Sequence, residues 1–138
     1  MAGYSGTPLA QKLGIKPGAL VVVLGAPAGF IDSLAPLPDG VTITTRVRDG
    51  ADVIVAFFTK VAELKKRFPA LHKAMAVDGG LWIGRPKQSS GIPTDITEHV
   101  PRQLLLPTGL VDNKVCAIDD TWSGLRFVIR KELRAARR

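Results

Sequence analysis

Residues 20–30, LVVVLGAPAGF, constrain the fold more than any other stretch of the chain. Five apolar residues run without alternation, the pattern of a central parallel strand covered on both faces. Gly25 then stands where a tight turn leaves the strand, and Gly29 where a helix begins. A buried strand, a turn and a helix start in such close order belong to an α/β protein, so the rest of the chain is read for further units of that kind.

The remaining elements follow from period and punctuation. Thr7, Pro8 and Gly14 supply the cap, first residue and stop of a short helix in an N-terminal arm over 1–18. A helix is expected over 29–34, closed by Pro36 and Pro38. The β-branched VTITT over 41–45 reads as a short strand, and DVIVAFF over 52–58 as a second central one. Between Thr59 and Met75 the spacing turns helical, with Val61, Leu64, Phe68, Leu71 and Met75 on one face and Pro69 predicting a kink or a break. Asp78, Gly79 and Gly80 read as a turn before the strand LWIGR. Asp95 and Glu98 have capping-box spacing for a helix running to about Leu106. Residues 109–118 and 122–131 are strands joined at Asp119 and Asp120, which requires an antiparallel hairpin.

Length and composition fit one α/β domain of 138 residues, with 46% hydrophobic and 22% charged residues. A single cysteine, Cys116, excludes an internal disulfide and suits a reducing compartment. Neither a secretory leader nor a membrane span is read from the apolar windows, and a cytoplasmic protein without membrane contact is expected. The formal charge is +7, and the stretch 130–138 carries five bases and one acid. That basic tail over 131–138 reads as a solvated helix end, and nucleic acid is a possible but not favoured partner.

Strands alternating with helices and closed by a hairpin imply a mostly parallel, Rossmann-like sheet flanked by helices and ending in an antiparallel β-hairpin. The segments LGIKPGALVVVLGAPAGF, DVIVAFF and DGGLWIGRPK resemble the corresponding strands of class I S-adenosylmethionine-dependent methyltransferases, and VDNKVCAIDDTWSGLRFVIRK resembles their final strand pair. Two C-terminal segments, PKQSSGIPTDITE and GLVDNKVCAIDDTWSGLRFVIR, resemble a family of small bacterial proteins without an assigned function. The first resemblance implies a methyltransferase-like fold, with Gly25 and Gly29 as the residues that would meet S-adenosylmethionine.

The wording of the turn argues against that cofactor. In GAPAG the second glycine position is Pro27, which has no N–H to donate. Where a ribose-binding acid is expected, about 20 residues on, the chain has Thr44, Thr45 and Arg46. Arg46 and Arg48 would suit a phosphate but read more simply as solvated surface. The expectation is therefore a methyltransferase-like domain with no cofactor and no catalytic residues, binding a small anionic ligand or a protein partner as a monomer or homodimer. A small S-adenosylmethionine-dependent methyltransferase is the first alternative and a nucleic-acid-binding accessory protein the second.

Lys87, Ser89, Ser90, Gly91, Thr94 and Asp95 form the candidate ligand-binding set, combining a cation, hydroxyls and a flexible point before a helix start. Asp112, Lys114, Trp122 and Ser123 are candidates for an adjoining surface, with strand alternation placing Asp112 and Lys114 on one face. His72 and His99 have no metal-ligand spacing around them. Cys116, in an apolar strand, reads as a small core residue.

Overall fold

The two continuous apolar runs become adjacent parallel strands, β1 (Leu20–Leu24) and β3 (Ala51–Phe57), in register from Val21 opposite Val53 to Leu24 opposite Ala56. The computed structural model describes residues 7–137. Residues 1–6 of the expected arm and Arg138 of the basic tail lie outside the described residues. Six strands form one sheet in the order β2-β1-β3-β4-β6-β5, with β2 (Thr42–Thr44), β4 (Met75–Pro86), β5 (Leu110–Ala117) and β6 (Trp122–Ile129) completing it. β2, β1, β3 and β4 are parallel, and β6 runs antiparallel to both β4 and β5. The sheet is the mostly parallel one expected, closed by a hairpin.

Each central strand divides its apolar residues between two cores, which is why the runs do not alternate with polar residues. Val22, Ile54, Leu81, Ile83 and Phe127 face α2 (Val61–Ala74) and α3 (Val100–Leu105). Val21, Val23, Val55 and Trp82 face the other way, against Ala10 of the short α1 (Leu9–Lys12), Leu13 just after it, Phe30 and Leu34. The buried Trp82 indole donates to the Leu13 carbonyl at 3.0 Å, which fixes the N-terminal segment to the sheet.

Several local expectations are corrected. Pro8, not Thr7, precedes the first turn of α1, and no side chain caps it. The helix expected over 29–34 is a single 3₁₀ turn, Asp32–Leu34. α2 is a single helix through Pro69 rather than two shorter ones. Pro69 and Lys65, whose carbonyl the proline leaves without a helical donor, are both on the exposed side, while Leu64 and Leu71 hold the helix on either side. Asp78, Gly79 and Gly80 are no turn but part of β4, where the pairing moves from Ala51–Met75 to Val53–Gly80 and leaves a bulge. Gly79 is required there, because a Cβ would lie 2.7 Å from the Ala51 carbonyl oxygen.

The expected capping box is also redirected. α3 begins at Val100 without a side-chain cap, and Asp95 caps a different helix: its Oδ1 accepts from the Val61 N–H, at the start of α2, at 2.7 Å. The capping residue is 34 positions from the helix it serves, a pairing that no local pattern reveals.

The basic tail is a helix, α4 (Lys131–Arg137), but it is not merely solvated. Arg137 reaches across to the C-terminal end of α2 and donates to the carbonyls of His72, Lys73 and Met75 at 3.2, 3.4 and 2.9 Å. A cation on the orphan carbonyls of a helix end is favoured by the macrodipole. It also acts on His72, which stacks on Phe68: burial first, and then Arg137, lower the histidine below its ordinary 6.5.

Two predictions follow from these caps. Asp95→Ala is expected to lower stability by about 1 kcal/mol, and Arg137→Ala by a similar ~1 kcal/mol, both read as shifts of the urea midpoint. An unchanged midpoint for Arg137→Ala would return the tail to a solvated helix. Because the folded pKa of His72 is the lower one, the unfolded chain binds its proton first, so the His72 contribution is complete above 6.5 and is lost as pH falls through the folded value. That loss, measured as stability between about pH 7.5 and 5.5, is expected to shrink in Arg137→Ala and to vanish in His72→Gln.

Candidate functional site

The exits of β1 and β3 meet at one backbone corner. Gly25 leaves β1 with a φ of +65°, and a Cβ on it would lie 2.9 Å from the Phe57 carbonyl oxygen. Any side chain would meet both left-handed strain and a backbone contact. Glycine is thus dictated at this position by the sheet itself.

Two open grooves share Gly25 as a common wall. One, of about 260 Å3, lies at the ends of β1 and β2 and is lined by Pro27, Gly29, Asp32 and Thr45 among others. The second, of about 310 Å3, lies at the ends of β1 and β3 and is lined by Phe57, Phe58, Thr59, Glu63 and Arg67. Both stand at the carboxyl ends of parallel strands, where open α/β sheets place their ligands.

An aromatic row supports this edge. The Phe57 ring meets Phe30 edge-on, centroids 4.9 Å apart, and meets Trp122 in the same way at 5.2 Å. Trp122, a candidate surface residue by sequence, is thereby half-buried in the row. Pro27 lines the first groove and its carbonyl accepts from the Phe30 N–H at 3.1 Å. The proline therefore builds the turn that carries Phe30 into the row.

The polar loop after β4 is bonded to the protein on both sides. Lys87 donates through its backbone N–H to Thr121 and through Nζ to the Asp119 carbonyl, each at 2.7 Å. Asp119 Oδ1 in turn accepts from the N–H groups of Thr121 and Trp122 at 2.8 and 2.7 Å. Ser90 Oγ donates to the Lys87 carbonyl and accepts from Ile92, and Gly91, at φ +76°, closes this turn. Thr94 Oγ1 donates to the Thr59 carbonyl at 2.6 Å, beside the Asp95 cap. Ser89 is exposed. The loop thus joins the exit of β3 to the hairpin turn.

Asp112 and Lys114 do not share a face. The pairing of β5 with β6 shifts between Asp112 opposite Phe127 and Lys114 opposite Arg126, so Asn113 is an extra residue and every later side chain is reversed. Asp112 accepts from Arg102 Nε of α3 at 2.8 Å, and Lys114 Nζ reaches the Lys12 carbonyl on the opposite side at 3.1 Å. Ser123 stands opposite Arg85 in the β4–β6 ladder. Burial pushes the Cys116 thiol up in spite of Lys12, Lys114 and Lys87, which suits a core residue rather than a nucleophile.

Sequence reading missed the two acids that line the grooves. Asp32 lies only seven residues beyond Gly25, not about 20, and Glu63 belongs to a helix after the second central strand. Glu63 was within reach of a local signal: it stands four residues before Arg67 in the first turns of a helix that begins just beyond a buried strand.

No protein-family model and no curated protein matches the chain. Solved structures do. The chain superimposes on an S-adenosylmethionine-dependent methyltransferase from Aquifex aeolicus with a TM-score of 0.61 at 17% identity, covering 88% of each chain. A DhpI–SAH complex gives a TM-score of 0.62 at 10% identity over 90% of this chain and 84% of that one. The ribosomal protein L11 methylase of Lactobacillus delbrueckii subsp. bulgaricus gives 0.59 at 13%, over 88% and 75%. These neighbours overturn the expectation of a purely binding domain without a cofactor, since two are named as methylating enzymes and the third is complexed with SAH. The alternative first read from the sequence fits them better. The six-stranded sheet with its terminal hairpin is the class I S-adenosylmethionine-dependent methyltransferase fold.

Proposed function

We propose that the chain is an S-adenosylmethionine-dependent methyltransferase whose cofactor lies across Gly25, between the exits of β1, β2 and β3. The observation that carries this reading is the bare corner at Gly25, where a Cβ has no room, with a groove opening on either side. At the corner itself a ligand can come close to backbone, as the pyrophosphate of a nucleotide cofactor does at a glycine turn.

The residues present fit the group. S-adenosylmethionine, when bound, supplies an electrophilic methyl on a positively charged sulfur. Asp32 and Glu63 give each groove one carboxylate, suited to hydroxyl or ammonium donors. Arg67 offers the second groove a cation for a carboxylate. Thr45 at the end of β2 presents a hydroxyl where an acid is commoner. The aromatic row of Phe30, Phe57 and Trp122 packs beneath the strand ends that carry the corner. The lone cysteine, buried in β5, suits a cytoplasmic setting for this activity.

Titration calorimetry of the full chain with S-adenosylmethionine and with SAH tests the reading. Saturable binding is expected. Asp32 and Glu63 are both exposed, so Asp32→Asn and Glu63→Gln are expected to keep the fold while each weakens binding by about tenfold. Absence of heat, together with an unmoved Tm under millimolar SAH, would refute the proposal.

A further inference from the structure

A third cavity, of about 60 Å3, lies between α3 and the face formed by β4, β6 and β5. β3 separates it from the Gly25 corner in the sheet. Its apolar lining is Ile83, Leu125 and Val115, and Val115 is 63% exposed although it pairs with the buried Leu125. Two guanidinium groups, Arg85 and Arg102, line the same space.

The two arginines are not equivalent. Arg102 is well matched, with Nε 2.8 Å from Asp112 Oδ2. The Arg85 side chain is only 21% exposed, yet its partners are poor. Its NH1 donates to the adjacent Pro86 carbonyl at 3.3 Å. Its carboxylate partner, Glu98, stays 3.9 Å from NH2, too far for a hydrogen bond. Glu98 is itself 64% exposed, and its second oxygen lies 3.6 Å from His99 Nε2. A guanidinium carries five donors in a planar fork that matches a carboxylate through two bonds at once. Withdrawing such a group from water without that match is unfavourable.

We propose that this cavity binds the carboxylate of a small aliphatic acid, gripped by Arg85, and that Glu98 is an internal carboxylate which the ligand displaces. The volume admits a few heavy atoms. The lining by Ile83, Leu125 and Val115 favours an anion with an alkyl chain over inorganic phosphate. Glu98 occupies the position at long range and from an exposed site, so an incoming carboxylate that lies closer replaces it without breaking a hydrogen bond to Arg85. No step of methyl transfer enters this inference, and it stands or falls separately from the cofactor reading.

The test is an NMR titration of the full-length, ¹⁵N-labelled chain with sodium acetate, propionate and butyrate, against sodium chloride and sodium phosphate at matched ionic strength. Saturable shifts are expected at the amides of Arg85, Val115, Gly124 and Leu125 with the three carboxylates. Glu98→Gln removes the internal competitor and is expected to tighten propionate by about threefold or more, while Arg85→Met weakens it by about tenfold. Should Arg85→Met fail to fold, Arg85→Lys retains the charge without the fork and is expected to lose about threefold. Shifts that map elsewhere, phosphate binding as tight as propionate, or a Glu98→Gln variant with unchanged or weaker affinity would overturn the proposal.

Discussion

The contact on which the site depends is the approach of the Gly25 backbone to the Phe57 carbonyl. Two parallel strands end side by side, and at their ends the chain must turn away without adding bulk between them. Only a residue with no Cβ and a left-handed backbone satisfies both demands. The grooves on either side exist because that corner is thin. The ring of Phe57, on the strand whose backbone meets Gly25, is set between Phe30 and Trp122, so one residue couples the turn after β1 to the start of β6. The loop after β4 completes the brace through Lys87 at one end and Thr94 with Asp95 at the other.

Much of this architecture was legible in the chain because it rests on local pattern. The runs at 20–24 and 51–57 name themselves as central strands, and the short link at Asp119 and Asp120 leaves the last two strands no choice but a hairpin. Long-range pairing was not legible. Asp95 has the spacing to cap the helix that follows it, and it caps one that precedes it by 34 residues. Asp112 and Lys114 have the spacing to share a face, and one extra residue in a ladder sets them on opposite sides. Pro27 brings no N–H to the groove that it lines. In the fold the essential glycine is Gly25, and Pro27 serves the turn beyond it. The acids of the grooves, Asp32 and Glu63, were missed because they come from different parts of the chain than the spacing rule examines.

The positive charge, concentrated toward the C-terminus, takes on structural duties that composition cannot show. Arg137 closes one helix end, Arg134 Nε donates to the Ile129 carbonyl at 3.0 Å, and Arg102 joins α3 to β5. Long flexible side chains here serve as links between elements. A charge excess of this kind says less about partners than about how a small α/β protein ties a short terminal helix to its body.

The position of β6 has a consequence for how the chain is made. Of the six strands described it is the last in the chain, yet it lies inside the sheet, between β4 and β5. Until residue 129 has emerged, the hydrogen-bonding edge of β4 stays bare, with Leu81, Trp82 and Ile83 alongside it, and β5 has no neighbour at all. Such an edge is a template for pairing with another nascent chain. Residues 110–129 therefore complete, as one hairpin, a sheet whose other four strands are made before them.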